Sequence, residues 1–129
     1  MARLNTIKVA LVGNPNTGKT SLFNELTGLK QKVGNYPGVT VDKKSGIIKL
    51  QDHLFAEVID LPGTYSINPN SLDENIVLET LLDPKSPDFP DLVIVIADIE
   101  NMKRNLLLFS QIKDLELPAI LAINMSDMM

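Results

Sequence analysis

Four short groups of residues in this chain have types and spacings that could do chemistry. The first is Gly13, Asn14, Pro15, Asn16, Thr17, Gly18, Lys19 and Thr20, which fits G-x-x-x-x-G-K-[ST] in full. Such a segment binds phosphate when it joins a strand to a helix. Glycines let the backbone wind until successive N–H groups point at phosphate oxygens. The N-terminus of the following helix adds a positive field at the same place. Lys19 would reach the terminal phosphates, and the Thr20 hydroxyl, with Ser21 beside it, would serve a bound Mg²⁺. The plain alternative is a turn that happens to start a helix with a lysine.

The second group, Asp60, Leu61, Pro62 and Gly63, follows an apolar run. An aspartate there can hold Mg²⁺ through water, while the Gly63 N–H can meet a γ-phosphate. Alone it reads as a Pro-Gly turn; its position in the strand after the phosphate loop gives it meaning. The third is Thr40, at the end of a loop rich in Gly, Asn and Pro. It can offer a hydroxyl and an N–H to Mg²⁺ and γ-phosphate, as loops ordered by that phosphate do. Read alone, it is an ordinary strand threonine. The fourth is Asn124, Met125, Ser126 and Asp127. A carboxylate accepts hydrogen bonds only, so Asp127 can take the paired N–H groups on one edge of guanine, which adenine cannot offer. Asn124 would hold the purine and brace the phosphate loop; the alternative is a plain turn.

Chemistry of this kind needs a scaffold of alternating strands and helices, and the pattern supplies one. Ile7 to Val12 reads as a strand ending at Gly13, and Ser21 to Leu26 as a helix closed by Gly28. Residues 30–40 read as a loop. Val41 to Leu50 and Leu54 to Ile59 are strands separated only by Gln51, Asp52 and His53, which implies an antiparallel hairpin. His53 falls in that turn as a solvated residue without a role. Ser71 with Glu74 forms a capping-box pattern that predicts a helix from Leu72 to Leu82. Leu92 to Asp98 is nearly all apolar, as expected of a central strand covered on both faces. Leu108, Ile112 and Leu115 recur at helical spacing within a third helix, Met102 to Leu115, which Pro118 stops before a last strand, Ala119 to Ile123. The expected fold is therefore α/β: a mostly parallel sheet with one antiparallel edge strand and helices on both faces.

Composition narrows the alternatives. The 129 residues are enough for one core. With no cysteine, neither a disulfide framework nor a thiolate metal site can form. The net charge of −4 argues against non-specific binding to nucleic acid or anionic lipid. The longest apolar run, Leu92 to Ala97, is far shorter than the ~20 residues of a membrane helix. No signal-peptide core precedes the first strand, so a soluble, cytosolic-type segment is expected.

Taken together, these residues resemble the N-terminal cytosolic G domain of FeoB, the bacterial ferrous iron transport family of P-loop GTPases. The likeness lies in Gly13 to Asn24 with Leu26, Thr27 and Gly28; in Val33 to Val41, with Tyr36 where many members carry tryptophan; in Asp60 to Ser66 with Asp73 and Glu74; and in Arg104, Asn105, Leu106, Asn124 and Met125. It covers residues 6–129. The resemblance implies GTP and GDP as ligands, Mg²⁺ at Thr20, Thr40 and Asp60, and hydrolysis involving Lys19, Asn16, Thr40 and Gly63. It further implies K⁺ beside the phosphates at Asn16, in place of an arginine finger. Thr64 stands where Ras-type enzymes carry a water-orienting glutamine, which implies slow intrinsic hydrolysis.

Family members continue past the guanine motif into a final strand and helix, a small helical domain and a membrane permease domain. The expectation is thus that 1–129 is a G domain truncated before that strand and helix, lying on the cytoplasmic side of the inner membrane. Two other functions compete: an Era-like or Der-like GTPase of ribosome assembly, and a nucleotide-binding fragment without turnover.

Overall fold

The computed structural model describes residues 5–14, 18–28, 31–36, 38–64 and 71–124, the last of these by its backbone. The elements are β1 (Asn5–Gly13), α1 (Lys19–Thr27), β2 (Gln31–Asn35), β3 (Asp42–Gln51), β4 (Leu54–Asp60), α2 (Leu72–Leu82), β5 (Leu92–Asp98), α3 (Met102–Asp114) and β6 (Ala119–Asn124). One six-stranded sheet runs in the order β2-β3-β4-β1-β5-β6. β4, β1, β5 and β6 are parallel to one another, with Leu11 opposite Asp60 and Ile94, and Asp98 opposite Asn124.

β1 holds the centre because residues 9–12 are apolar on both sides, and all four are buried. Val9 and Leu11 face α1 and pack with Phe23, Val58 and Ile96. Ala10 and Val12 face the opposite way, into a larger cluster with Ile59, Val93 and Val95 from the sheet, Ile76, Val77 and Leu81 from α2, and Leu108 and Ile112 from α3. Helices therefore cover both faces, as the strand–helix alternation implies. Each apolar side chain fully removed from water there contributes about 1.5–3 kcal/mol.

The helices begin and end where local chemistry dictates. Gly18 adopts φ 88° before α1, a left-handed conformation that suits glycine. At the other end Gly28 has φ 58°, and its N–H donates to the Asn24 carbonyl at 2.8 Å. In α1 the buried residues Lys19, Phe23 and Thr27 recur every four residues, so one stripe faces the sheet. α2 has the bounds expected from its capping signal. The Ser71 hydroxyl accepts from the Glu74 N–H at 3.1 Å and donates to the Glu74 carboxylate at 3.2 Å. Before α3, the Asp98 carboxylate accepts from the Asn101 N–H at 2.8 Å and caps a single tight turn over Ile99–Asn101.

The structure differs from expectation between residues 30 and 40. Gln31–Asn35 is not loop but strand β2, antiparallel to β3, so β3 runs against β4 one place in from the edge and β2 is the edge itself. Residues 32–35 are exposed, and no alternation of apolar and polar side chains marks them. Backbone pairing with β3 makes this strand, and such pairing leaves no hydrophobic trace in sequence. The expected β3–β4 hairpin is present. His53 sits in its turn at φ 65°, exposed, with its carbonyl accepting from Asn5 N–H at 3.0 Å.

Candidate nucleotide site

The carboxyl ends of parallel strands are where ligands bind in open α/β sheets. Here β1 ends at Gly13, β4 at Asp60 and β6 at Asn124, so three of the four chemical groups read from sequence begin on one rim of the sheet. Leu61 N–H donates to the Leu11 carbonyl at 3.1 Å, and Thr64 N–H donates to the Gly13 carbonyl at 2.9 Å. These two bonds tie the segment after β4 to the start of the phosphate loop.

Lys19, the first residue of α1, is only 7% exposed. Its ammonium pairs directly with the Asp60 carboxylate, and both side chains are almost fully shielded. A buried lysine needs such a partner, because an isolated charge out of water is costly. The pair sits beside a cavity of about 530 Å³ lined by Asn14, Gly18, Lys19, Thr20, Ser21, Gly63 and Asp73. A second cavity of about 330 Å³ shares Gly18 and Ser21 and runs along α1 to Ala122 and Ile123 on β6.

Of the residues expected at the phosphates, Asn14, Gly18, Lys19, Thr20, Ser21 and Gly63 line one cavity. Gly13 and Asn14 are buried at the end of β1, while Thr20 and Ser21 are exposed and border the larger cavity. Gly63 borders it too. Leu61 instead packs into the core between the sheet and α2, and Pro62 is half-buried outside the lining. Thr40 is not at the cavity: it is exposed, in the connection between β2 and β3. Pro15, Asn16 and Thr17 lie outside the described residues, as do Met125, Ser126 and Asp127. Of Asn124, the backbone is placed by its pairing with Asp98.

One lining residue was not in the expected set. Asp73 enters from the first turn of α2. Its signals in sequence were the acidic start of the capping box, which helix stability explains by itself, and its place in the family likeness with Asp60 to Ser66. Only the fold carries it across to the phosphate loop.

The donor set suits a hard cation. Thr20, which borders the cavity, offers a hydroxyl, and Asp60, paired with the cavity-lining Lys19, a carboxylate; Mg²⁺ is commonly held by one or two carboxylates together with phosphate oxygens. Among the described residues no three His, Asp or Glu side chains cluster as a metal site of their own.

The sequence profile of the family described as ferrous iron transport protein B matches residues 7–129. The chain belongs to this family. It is 47% identical over 121 residues to a fusion of Fe(2+) transport protein A and the Fe(2+) transporter FeoB from Porphyromonas gingivalis, covering 94% of this chain and 14% of that protein. The crystal structure of the G domain of the T. maritima FeoB iron transporter superposes with a TM-score of 0.87 at 47% identity, covering 96% of this chain and 75% of that one. The cytosolic domain of the same FeoB in a GDP form gives a TM-score of 0.86 at 47% identity, covering 97% and 47% of the two chains. The chain therefore spans about one seventh of the length of the P. gingivalis relative. Among the described residues no helix is long and apolar enough to cross a membrane.

Proposed function

We propose that this chain is the GTP-binding and GTP-hydrolysing domain of a ferrous iron transporter, acting from the cytoplasmic side of the cell membrane on a permease portion of the same parent protein. The observation that carries the reading is the Lys19–Asp60 pair at the rim of the sheet, beside the cavity that Thr20 and Gly63 border. The GDP form of a 47% identical FeoB cytosolic domain supports guanine nucleotide as the ligand. Residues 1–129 act in this reading as one G-domain unit. Neither nucleic acid nor direct membrane contact enters it.

In this reading backbone N–H groups of residues 13–20 and the N-terminus of α1 receive the phosphates. Lys19 exchanges its contact with Asp60 for contact with phosphate oxygens. Thr20 and Asp60 would hold Mg²⁺, joined by Thr40 when its loop reaches the site; the ion supplies neutralising charge for phosphoryl transfer. Gly63 offers its N–H to the γ-phosphate. Asn16 would hold K⁺ beside the phosphates, in the role an arginine finger has elsewhere. Asn124 and Asp127 would read the guanine edge.

The test is phosphate release from Mg²⁺–GTP and Mg²⁺–ATP, each in K⁺ and in Na⁺ buffer. Turnover selective for GTP and faster in K⁺ is the expected result. Indifference to K⁺ would remove the role of Asn16, and equal use of ATP would remove the base reading. Asp127→Asn should move preference from GTP towards xanthosine triphosphate, whose added carbonyl suits an amide donor; no movement would mean that Asp127 does not read the base.

A further inference from the structure

Thr40 must travel to act, and the segment that carries it is built around one buried side chain. Tyr36, four residues earlier, is 4% exposed and packs in the cluster that contains Ile59, Leu61, Ile76 and Val77. Its ring thus touches the core where β4 ends and α2 passes over the sheet. Val39 and Val41 pack against the same cluster. The backbone closes around the residue: Tyr36 N–H donates to the Val41 carbonyl at 3.1 Å, and Val39 N–H donates to the Tyr36 carbonyl at 3.2 Å. Just beyond the loop, the Lys43 ammonium pairs with Asp88 at 2.5 Å and fixes the start of β3 to the segment after α2.

The phenol itself adds a second, separate observation. Its hydroxyl is buried without a hydrogen-bond partner among the described residues. Burial, and then the charges of Asp88 and Asp60, push its ionisation well above the usual tyrosine range. An unsatisfied buried hydroxyl costs free energy, so the ring is held there by shape and apolar packing, with nothing gained by its oxygen. A tyrosine kept for its ring alone, beside the strand that ends in Asp60, is placed as a mechanical anchor.

We propose that Tyr36 is a positioning residue for GTP hydrolysis: a buried pivot that confines Thr40 to within reach of the Lys19–Asp60 centre. Four residues span at most about 14 Å when extended. A pivot fixed in the core beside β4 therefore keeps Thr40 within that span of the end of β4, whatever the nucleotide. Freed from the pivot, the loop samples a much larger volume, and the ordering entropy must be supplied when Thr40 docks. The proposal rests on the GTPase reading above and deepens it.

The role separates from simple stabilisation because Thr40 serves the γ-phosphate and its cation, and GDP has no γ-phosphate. In Tyr36→Ala, kcat for GTP should fall roughly ten- to a hundredfold, the size of effect that misplacement of a reacting group produces. Affinity for GDP should stay within about twofold of the parent chain. Tyr36→Phe keeps the ring and should restore hydrolysis. Equal losses in GDP and GTP binding, or undiminished hydrolysis, in Tyr36→Ala would overturn the pivot, as would failure of Tyr36→Phe to restore it. Should Tyr36→Ala not fold, Tyr36→Leu, which keeps an apolar but smaller plug, is read in the same way.

Hydrogen exchange at the Tyr36 and Val39 amides gives a readout independent of nucleotide. Both should lose protection in Tyr36→Ala, and unchanged protection would overturn the pivot. A parent chain without GTP turnover would overturn the GTPase reading, while the exchange measurement would still decide whether Tyr36 anchors the loop.

Discussion

The phosphate end of the molecule and the β2–β3 arm handle charge and apolar surface in opposite ways. At the ends of β1 and β4 a lysine and an aspartate lie inside, paired, with Lys19 7% exposed among buried strands. In the arm, Val33 is 65% and Ile47 50% exposed, and Lys32 and Lys49 are exposed alongside them. Charge within the fold is tolerable only with a partner in fixed geometry, so each residue type at the phosphate end is constrained by its neighbour. The arm is held by backbone pairing, which accepts almost any side chain, and lysines along it guard an open edge against further pairing. The first region is specified by chemistry and the second by its ladder.

Four measurements would break or sharpen that contrast. Leu11→Ala, in the strand that leads to the phosphate loop, should cost about 2–5 kcal/mol in denaturant unfolding, because the packed site cannot fully collapse; a loss below about 1 kcal/mol would mean the central strand is less constrained than its burial says. Lys19→Ala should weaken nucleotide binding by about 2–3 kcal/mol, the worth of charged hydrogen bonds, or about 30- to 150-fold in titration with a fluorescent guanine nucleotide. Unchanged binding would remove the phosphate-loop assignment.

Tyr36 supplies a pH test. Its ionisation is raised in the folded chain by burial, then by Asp88 and Asp60. Unfolded tyrosine loses its proton near pH ~10 while the folded residue keeps it, so stability falls as pH rises beyond that point, by about 1.4 kcal/mol per pH unit from this group. Tyr36→Phe should lack that fall, and its unfolding midpoint should gain on the parent between pH ~9 and ~11. A constant gap would show that the phenol is not shielded. The smallest effect is expected in the arm: Val33→Thr keeps the branched side chain and should change stability by no more than about 0.5 kcal/mol. A cost rivalling that of Leu11→Ala would erase the contrast altogether.

What was legible in sequence divides along the same line. The phosphate loop, β5 and α2 lay open because each joins a residue pattern to a physical demand: glycines for curvature, unbroken apolar residues for a central strand, Ser71 and Glu74 for a helix start. β2 was missed since Gln31–Asn35 buries almost nothing, and pairing with β3 leaves no pattern to find. Asp73 was legible as a helix-starting acid and as part of the family likeness but not as a lining residue, because its place at the cavity depends on how α2 returns across the sheet. The expectation that Thr40 serves the site rested on its order along the chain, whereas in the structure it stands off the cavity on a loop closed around Tyr36. Order along a chain says which residues can meet; packing says when.

The two bonds that join Leu61 and Thr64 to the end of β1 have a consequence for how this site could change over generations. Both use main-chain atoms only. Every amino acid except proline carries the required N–H, so the two bonds themselves ask nothing of the side chain at either position; what restricts both is burial, with Leu61 0% and Thr64 3% exposed. A replacement at position 64 that fits its buried surroundings therefore leaves the link between the two segments whole, so what selection weighs there is the fit of the side chain and not the link itself.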